Sequence, residues 1–197
     1  MIATDERHLP LDQLEAGLPE ILRSPTDEGV LELIVRRPGI DQRENLEEAE
    51  LNLVEGLAGD NWKDRGSSRT EDGSAHPDMQ LAIMSARTAA LVAGEKERWA
   101  LAGDQLFVDL DLSEESLPAG TRLGLGTATI EITPQPHTGC KKFAARFGLD
   151  AMRFISAPAR RHLRLRGIYA RVVEPGQVRV GDSIRRLSEA PASPRSS

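Results

Sequence analysis

The sequence predicts a mostly β fold with a few inserted helices, closed into a β-barrel. Three observations carry that prediction. Seventeen glycines and twelve prolines in 197 residues cut the apolar segments short, which favours strands and turns over long helices. About six of those segments are rich in aliphatic and β-branched residues and are bounded by Gly, Pro or Asp, as strands are. Apolar residues make up 39% but aromatics only 4%, so the core is large enough and chiefly aliphatic. Several short strands with two or three helices between them imply a mostly antiparallel sheet that removes its edges by closing on itself.

Leu11, Leu14, Leu18, Ile21 and Leu22 recur at helical spacing, while Gly17 and Pro19 break the pattern, so a short helix or two turns is expected. Val30–Val35 reads as the first strand, closed by the Arg36-Arg37-Pro38-Gly39 turn. An acidic stretch from Asp41 to Glu55 runs up to Gly59-Asp60-Asn61, and residues 63–75 form a polar loop. Met79–Met84 is a strand, and Ser85 is placed to cap a helix over about 86–99. Gln105–Leu110 is a further strand and Thr121–Thr133 another. Gly167–Val173 and Val178–Ile184 read as two strands around Glu174-Pro175-Gly176-Gln177, a hairpin turn.

Composition also excludes functions. No run approaches the ~18–20 apolar residues that span a bilayer, and the N-terminus has no apolar secretory run, so the expectation is a cytoplasmic protein without a membrane partner. One cysteine cannot form an internal disulfide. The net charge of −6 hides an uneven distribution: residues 141–171 hold nine Lys or Arg and one acid, Asp150. That segment is either a solvated helical face or a rim that attracts an anion such as phosphate. Nucleic acid is disfavoured, because the segment has few aromatics and the chain is acidic. Metal-ligand spacing of the CxxC or HExxH kind and phosphate loops are absent.

The segment Thr133-Pro-Gln-Pro-His-Thr-Gly-Cys140 stands out, because a helix is expected to start just after it and Thr138 is placed to cap it. A thiol at a helix start, beside His137, Lys141 and Lys142, meets the conditions that favour thiolate. The alternative is a buried cysteine that acts as a small hydrophobe. Gly59-Asp60-Asn61 and Gly103-Asp104 each suit either a ligand-orienting turn or a plain Asx turn, and His76 suits a ligand contact or an ordinary surface position.

The order of several segments resembles the MOSC family, named for the C-terminal domain of molybdenum cofactor sulfurases. The pieces are Leu57-Ala-Gly-Asp60-Asn61, His76–Ser85, Ala102–Leu112 and Leu117–Ala128, then Glu131-Ile-Thr133 leading to Gly139-Cys140, and Arg166–Gly176 leading to Val180-Gly181-Asp182. The resemblance covers about residues 27–187, leaving 1–26 as an N-terminal extension and 188–197 as a tail whose composition predicts disorder. It implies a barrel like that of the pyruvate kinase barrel domain. It also implies that Cys140 carries sulfur or contacts molybdenum in a pterin cofactor. Asp60, Asn61, His76, Asp104, His137, Lys141, Arg166 and Arg171 would be the cofactor-binding candidates. Many relatives carry an Arg-x-Pro-Cys run where this chain has His137-Thr-Gly-Cys140.

Three functional expectations follow from the resemblance. One is a stand-alone molybdenum cofactor (molybdopterin) binding or sulfur-carrier domain. Pyridoxal phosphate would then act only in a separate cysteine desulfurase, since this chain lacks that domain. The second is a molybdenum-dependent reductase of N-hydroxylated compounds fed by an electron-transfer partner. The third is a metabolite- or partner-binding barrel with an inert, buried Cys140. The oligomeric state is not fixed by the sequence.

Overall fold

The computed structural model describes residues 8–188. The strands among them are β1 (Glu28–Arg36), β2 (Glu44–Leu46), β3 (Glu48–Asn52), β4 (Gly56–Leu57), β5 (Leu81–Ser85), β6 (Leu106–Asp109), β7 (Arg122–Leu125), β8 (Ala128–Ile132), β9 (Ile168–Glu174), β10 (Gly176–Arg179) and β11 (Ser183–Arg186). The α-helices are α1 (Leu11–Ile21), α2 (Trp62–Arg65), α3 (Ala86–Ala93) and α4 (Lys141–Ser156). Seven strands close in the order β11-β7-β8-β9-β5-β6-β1 and back to β11, with β2 added on β1. All pairings in this sheet are antiparallel except β5–β6. That parallel pair needs a crossover, which α3 and the 3-10 segment Lys96–Ala102 supply.

Alternation along the strands divides the apolar residues between two cores. Leu31, Ile34, Leu81, Ile83, Leu106 and Val108 fill the barrel, joined by Leu123, Ile130, Ala170 and Ile184. Leu33, Val35, Met84 and Phe107 face outward and are covered by α1, α3 and α4. α4 is broken at Gly148 (φ +90°), and Phe143 and Phe147 before the break and Ala151 and Phe154 after it are all buried. Aliphatic residues thus fill the barrel, while the four phenylalanines lie between barrel and helices.

The structure corrects the sequence reading at several elements. The chain has eleven short strands among the described residues rather than about six: the acidic stretch supplies β2 and β3, β4 follows it, and the segment expected as one strand over Val178–Ile184 divides between β10 and β11. Thr121–Thr133 is two strands, turned at Gly126 with φ +55°. The hairpin expected around Glu174–Gln177 does not form. Both edges of β9 are taken by β5 and β8, so β10 pairs with β3 in a separate three-stranded sheet. Ser85 does cap α3, but the helix stops at Gly94, where φ is +74°. α1 runs unbroken through Gly17 and Pro19, and a Cβ at Gly17 would lie 2.4 Å from Leu91 Cδ1 on α3. Residues 189–197 of the expected tail lie outside the described residues.

β1 is the seam of the barrel. It pairs with β11 through Glu28–Val30, with β6 through Val30–Ile34 and with β2 through Ile34–Arg36. A Cβ at Gly29 would sit 2.0 Å from the backbone oxygen of Asp109, which cannot rotate away. Gly29→Ala is expected to push β1 off β6 and cost about 3 kcal/mol of stability. Urea denaturation reads this directly, and an unchanged midpoint would mean the seam has slack.

Candidate functional site

A cleft of about 230 Å³ opens on the outer wall of the barrel. Its floor includes Ala82 and Tyr169, paired residues on β5 and β9. The small side chain of Ala82 leaves space that a larger residue would fill. Around this floor stand the loop after β1, the start of α2, Gly103, and the segment His137–Cys140 with the first turns of α4.

Arg37 and Arg166 are fixed from behind by buried carboxylates. Asp60 accepts from Arg37 Nε at 2.8 Å and Nη2 at 2.7 Å, and from the Arg37 backbone N–H at 2.9 Å. Arg37 Nη1 donates to the Gly103 carbonyl at 2.8 Å. Asp104 accepts from Arg166 Nη1 at 2.7 Å, and Arg166 Nη2 donates to the Ala102 carbonyl at 3.0 Å. Both carboxylates are sealed from solvent. Arg166 also lies over the Phe143 ring, 5.1 Å from its centre, and its Nε has no hydrogen-bond partner. Asp60 further accepts from the Trp62 N–H, which fixes the start of α2.

More cations line the same space: Arg43, Arg65, Lys142 and Arg146. Burial, and then Arg146 and Arg37, pull Arg43 below the usual guanidinium range. Burial and then Arg37 do the same to Arg65. Such crowding of like charge makes the cleft favourable for an anion. One carboxylate lines it in partial compensation, Asp41, whose Oδ1 accepts from Lys142 at 3.0 Å and Arg146 at 2.9 Å. Asp41 holds a left-handed φ of +58°, and the hydrogen bond and charge of Lys142, then the charges of Arg146 and Arg43, hold its carboxyl below the usual range.

Cys140 is exposed at the mouth of the cleft and occupies the N-cap position of α4. No side chain caps this helix, so the role expected for Thr138 is not filled. Cys140 is not buried as the alternative reading expected, because the extended segment before α4 turns the residue to solvent. His137 is almost wholly covered and stacks on Tyr169, ring centres 4.2 Å apart. Burial first, then Arg166, Arg37 and Arg69, hold its imidazole well below 6.5, so it is neutral at neutral pH.

Of the residues singled out in the sequence, Asn61, His137, Cys140 and Arg166 line the cleft, and Asp60 and Asp104 lie directly behind it. Three others lie outside its lining. His76 Nδ1 accepts from the Asp78 N–H to start a 3-10 turn. Arg171 pairs with Glu131 at 2.7 Å, and Lys141 is exposed at the beginning of α4. Sequence reasoning missed Arg37, Arg43, Arg65 and Tyr169. Arg37 read as part of a turn, and no local signal pairs it with a carboxylate 23 residues on.

The larger groove, about 1020 Å³ between β7, β8 and Leu187, shares no lining residue with the Cys140 cleft and mixes Arg122 and Arg186 with Glu131 and Glu174. Groups of three or more His, Cys, Asp or Glu able to hold a metal are absent among the described residues. No described helix is long and apolar enough to cross a membrane.

The Arg37–Asp60 pair is the strongest support of the cleft wall. Removing one partner of a buried ion pair strands the other charge. Asp60→Ala is therefore expected to cost about 3–5 kcal/mol. A loss below about 1 kcal/mol in denaturant melts, the size of an exposed pair, would contradict a tightly buried fork.

Comparison with known proteins agrees with this architecture. The MOSC domain model matches residues 70–185. The chain is similar in structure to the YuaD protein from Bacillus subtilis (TM-score 0.59, 19% identity, 83% of this chain and 97% of that one). It is also similar to a hypothetical protein (0.57, 21%, 84% and 71%) and to YiiM from Escherichia coli (0.52, 21%, 82% and 71%). No curated protein matches the chain. The family match spans more than half of the sequence and the barrel is shared with these structures, so the chain belongs to the MOSC domain family.

Proposed function

We propose that this MOSC domain handles the molybdenum cofactor, holding the anionic end of the pterin in the arginine cleft with Cys140 as sulfur carrier or metal contact. One observation supports the reading above others. Arg37 and Arg166, each fixed by a buried aspartate, converge on one cleft with an exposed cysteine at its mouth.

The residues present fit such a ligand. Arginine forks match phosphate oxygens, and Arg166 Nε is a buried donor with no partner. Asn61 Oδ1 is a buried acceptor with no partner, suited to an N–H of a pterin ring. The volume of about 230 Å³ is below the ~300–1,000 Å³ of sites that enclose a whole drug-sized ligand. The cleft therefore grips one end and leaves the remainder outside, towards Cys140. When bound, the cofactor supplies the redox and sulfur chemistry. The chain's own part is to neutralise the phosphate, orient the ligand through Arg37 and Arg166, and present an exposed thiol beside it. A persulfide sulfur carried on Cys140 would come from a separate cysteine desulfurase.

Molybdenum and pterin content of the purified protein, measured after expression in a cofactor-producing host, tests this reading. Wild type is expected to hold both, and Cys140→Ser to lose molybdenum by about 10-fold or more, the scale on which metal sites respond to lost partners. Arg37→Ala is expected to lose pterin together with metal. Equal content in wild type and Cys140→Ser would remove Cys140 as the contact. Absence of pterin from every form would remove the cofactor reading.

A further inference from the structure

A cleft lined by arginine and lysine is rich in donors and poor in acceptors, because neither side chain has an acceptor atom. Asn61 Oδ1 is one buried exception and His137 is another. Its Nδ1 lies 3.5 Å from Asp104 Oδ1, and neither atom has a hydrogen-bond partner by geometry. The imidazole side chain is 6% exposed and Asp104 is fully covered. With Nδ1 sealed inward against Asp104, the exposed remainder of the ring belongs to its other edge, so Nε2 is the nitrogen turned to the cleft.

The proton positions follow from the charges around the pair. Burial pushes the Asp104 carboxyl up, towards its protonated form, and Arg166, Arg37 and Arg43 oppose it. Arg166 is equally buried and cannot give up its proton, so a neutral Asp104 would leave that cation unpaired. Asp104 is therefore the carboxylate. A neutral imidazole 3.5 Å from that carboxylate is favoured with its proton on Nδ1, without a formed hydrogen bond between them, and Nε2 then carries the lone pair. The Tyr169 ring lies against the imidazole at a tilt of 33°, and Gly167 on its Nδ1 side, with φ +109°, leaves room that a side chain would take.

We propose that His137, oriented by Asp104, is a hydrogen-bond acceptor of the cleft and selects anions that bear or adjoin an O–H or N–H donor over fully deprotonated anions of the same shape. The inference rests on the anion-binding part of the proposed function and adds a specificity. His137 is a positioning and selecting residue here. A lone pair facing an unprotonated oxygen leaves two acceptors together, and a buried acceptor without a donor is costly. Sites built around such a bond discriminate strongly against ligands that lack the matching group.

Inorganic phosphate and sulfate separate the two cases. Both are tetrahedral, but at neutral pH phosphate retains a hydroxyl and sulfate has none. Calorimetric titration of the wild-type protein at fixed ionic strength is expected to show phosphate bound about tenfold more tightly than sulfate, the scale of one unmatched buried bond. His137→Phe keeps a ring to stack on Tyr169 but has no acceptor. It is expected to bring the ratio towards one, by relieving the acceptor contact with sulfate and by removing the hydrogen bond to phosphate. A thermal melt confirms that the variant folds, and the wild-type ratio tests the idea without any variant. Equal affinities in wild type, or equal weakening of both anions by His137→Phe, would overturn the role of His137 and leave the anion cleft standing. Failure of the wild type to bind either anion would overturn both.

Discussion

Two buried carboxylates hold this site together. Asp60 and Asp104 take no part in the cleft surface, yet each fixes one arginine that does. A free arginine on a surface samples many rotamers and offers its charge diffusely. Here the guanidinium groups are pinned on one side by a carboxylate and on the other by the carbonyl of Gly103 or Ala102. The ordering entropy is met on folding, so a ligand meets preorganised donors. The desolvation cost is carried by the fold, which explains why the supporting aspartates are placed in sealed positions next to the barrel wall.

The barrel determines where these pairs can exist. The parallel β5–β6 pair requires a crossover, and its return loop brings Ala102, Gly103 and Asp104 to the outer wall. β1 ends beside that loop with Arg37, and β9 begins beside it just after Arg166. Two arginines 129 positions apart in sequence thus reach one cleft because their strands flank the same pair. α4 then covers the outward-facing Met84 and Phe107 with its phenylalanines, and its N-terminus delivers Cys140 to the cleft mouth. Packing of α4 and placement of the thiol are one event.

Local physics made part of this legible in the sequence. β1, β5 and β6 announced themselves by aliphatic runs between turn residues, Ser85 by its capping position, and the start of α4 by the residues that follow Cys140. Long-range pairing was not legible. The acidic segment 41–55 hid β2 and β3, because those strands are short and carry exposed acidic residues. The turn at Pro175 looked like a hairpin because nothing local shows that both edges of β9 are already used. At the site, the basic segment pointed to Lys142, Arg146 and Arg166 but also to Arg171, whose charge is taken by Glu131. Arg37, Arg43 and Arg65 lie in stretches whose local composition gives no hint of a shared cleft.

The central claim is that an anion seated between Arg37 and Arg166 lies next to an exposed thiol. The rate of iodoacetamide alkylation at Cys140, followed by mass spectrometry with and without pyrophosphate, tests it most directly. The account predicts saturable slowing by pyrophosphate that matched concentrations of chloride do not reproduce, and loss of that protection in Arg37→Ala. Alkylation that proceeds at the same rate at every pyrophosphate concentration would contradict it.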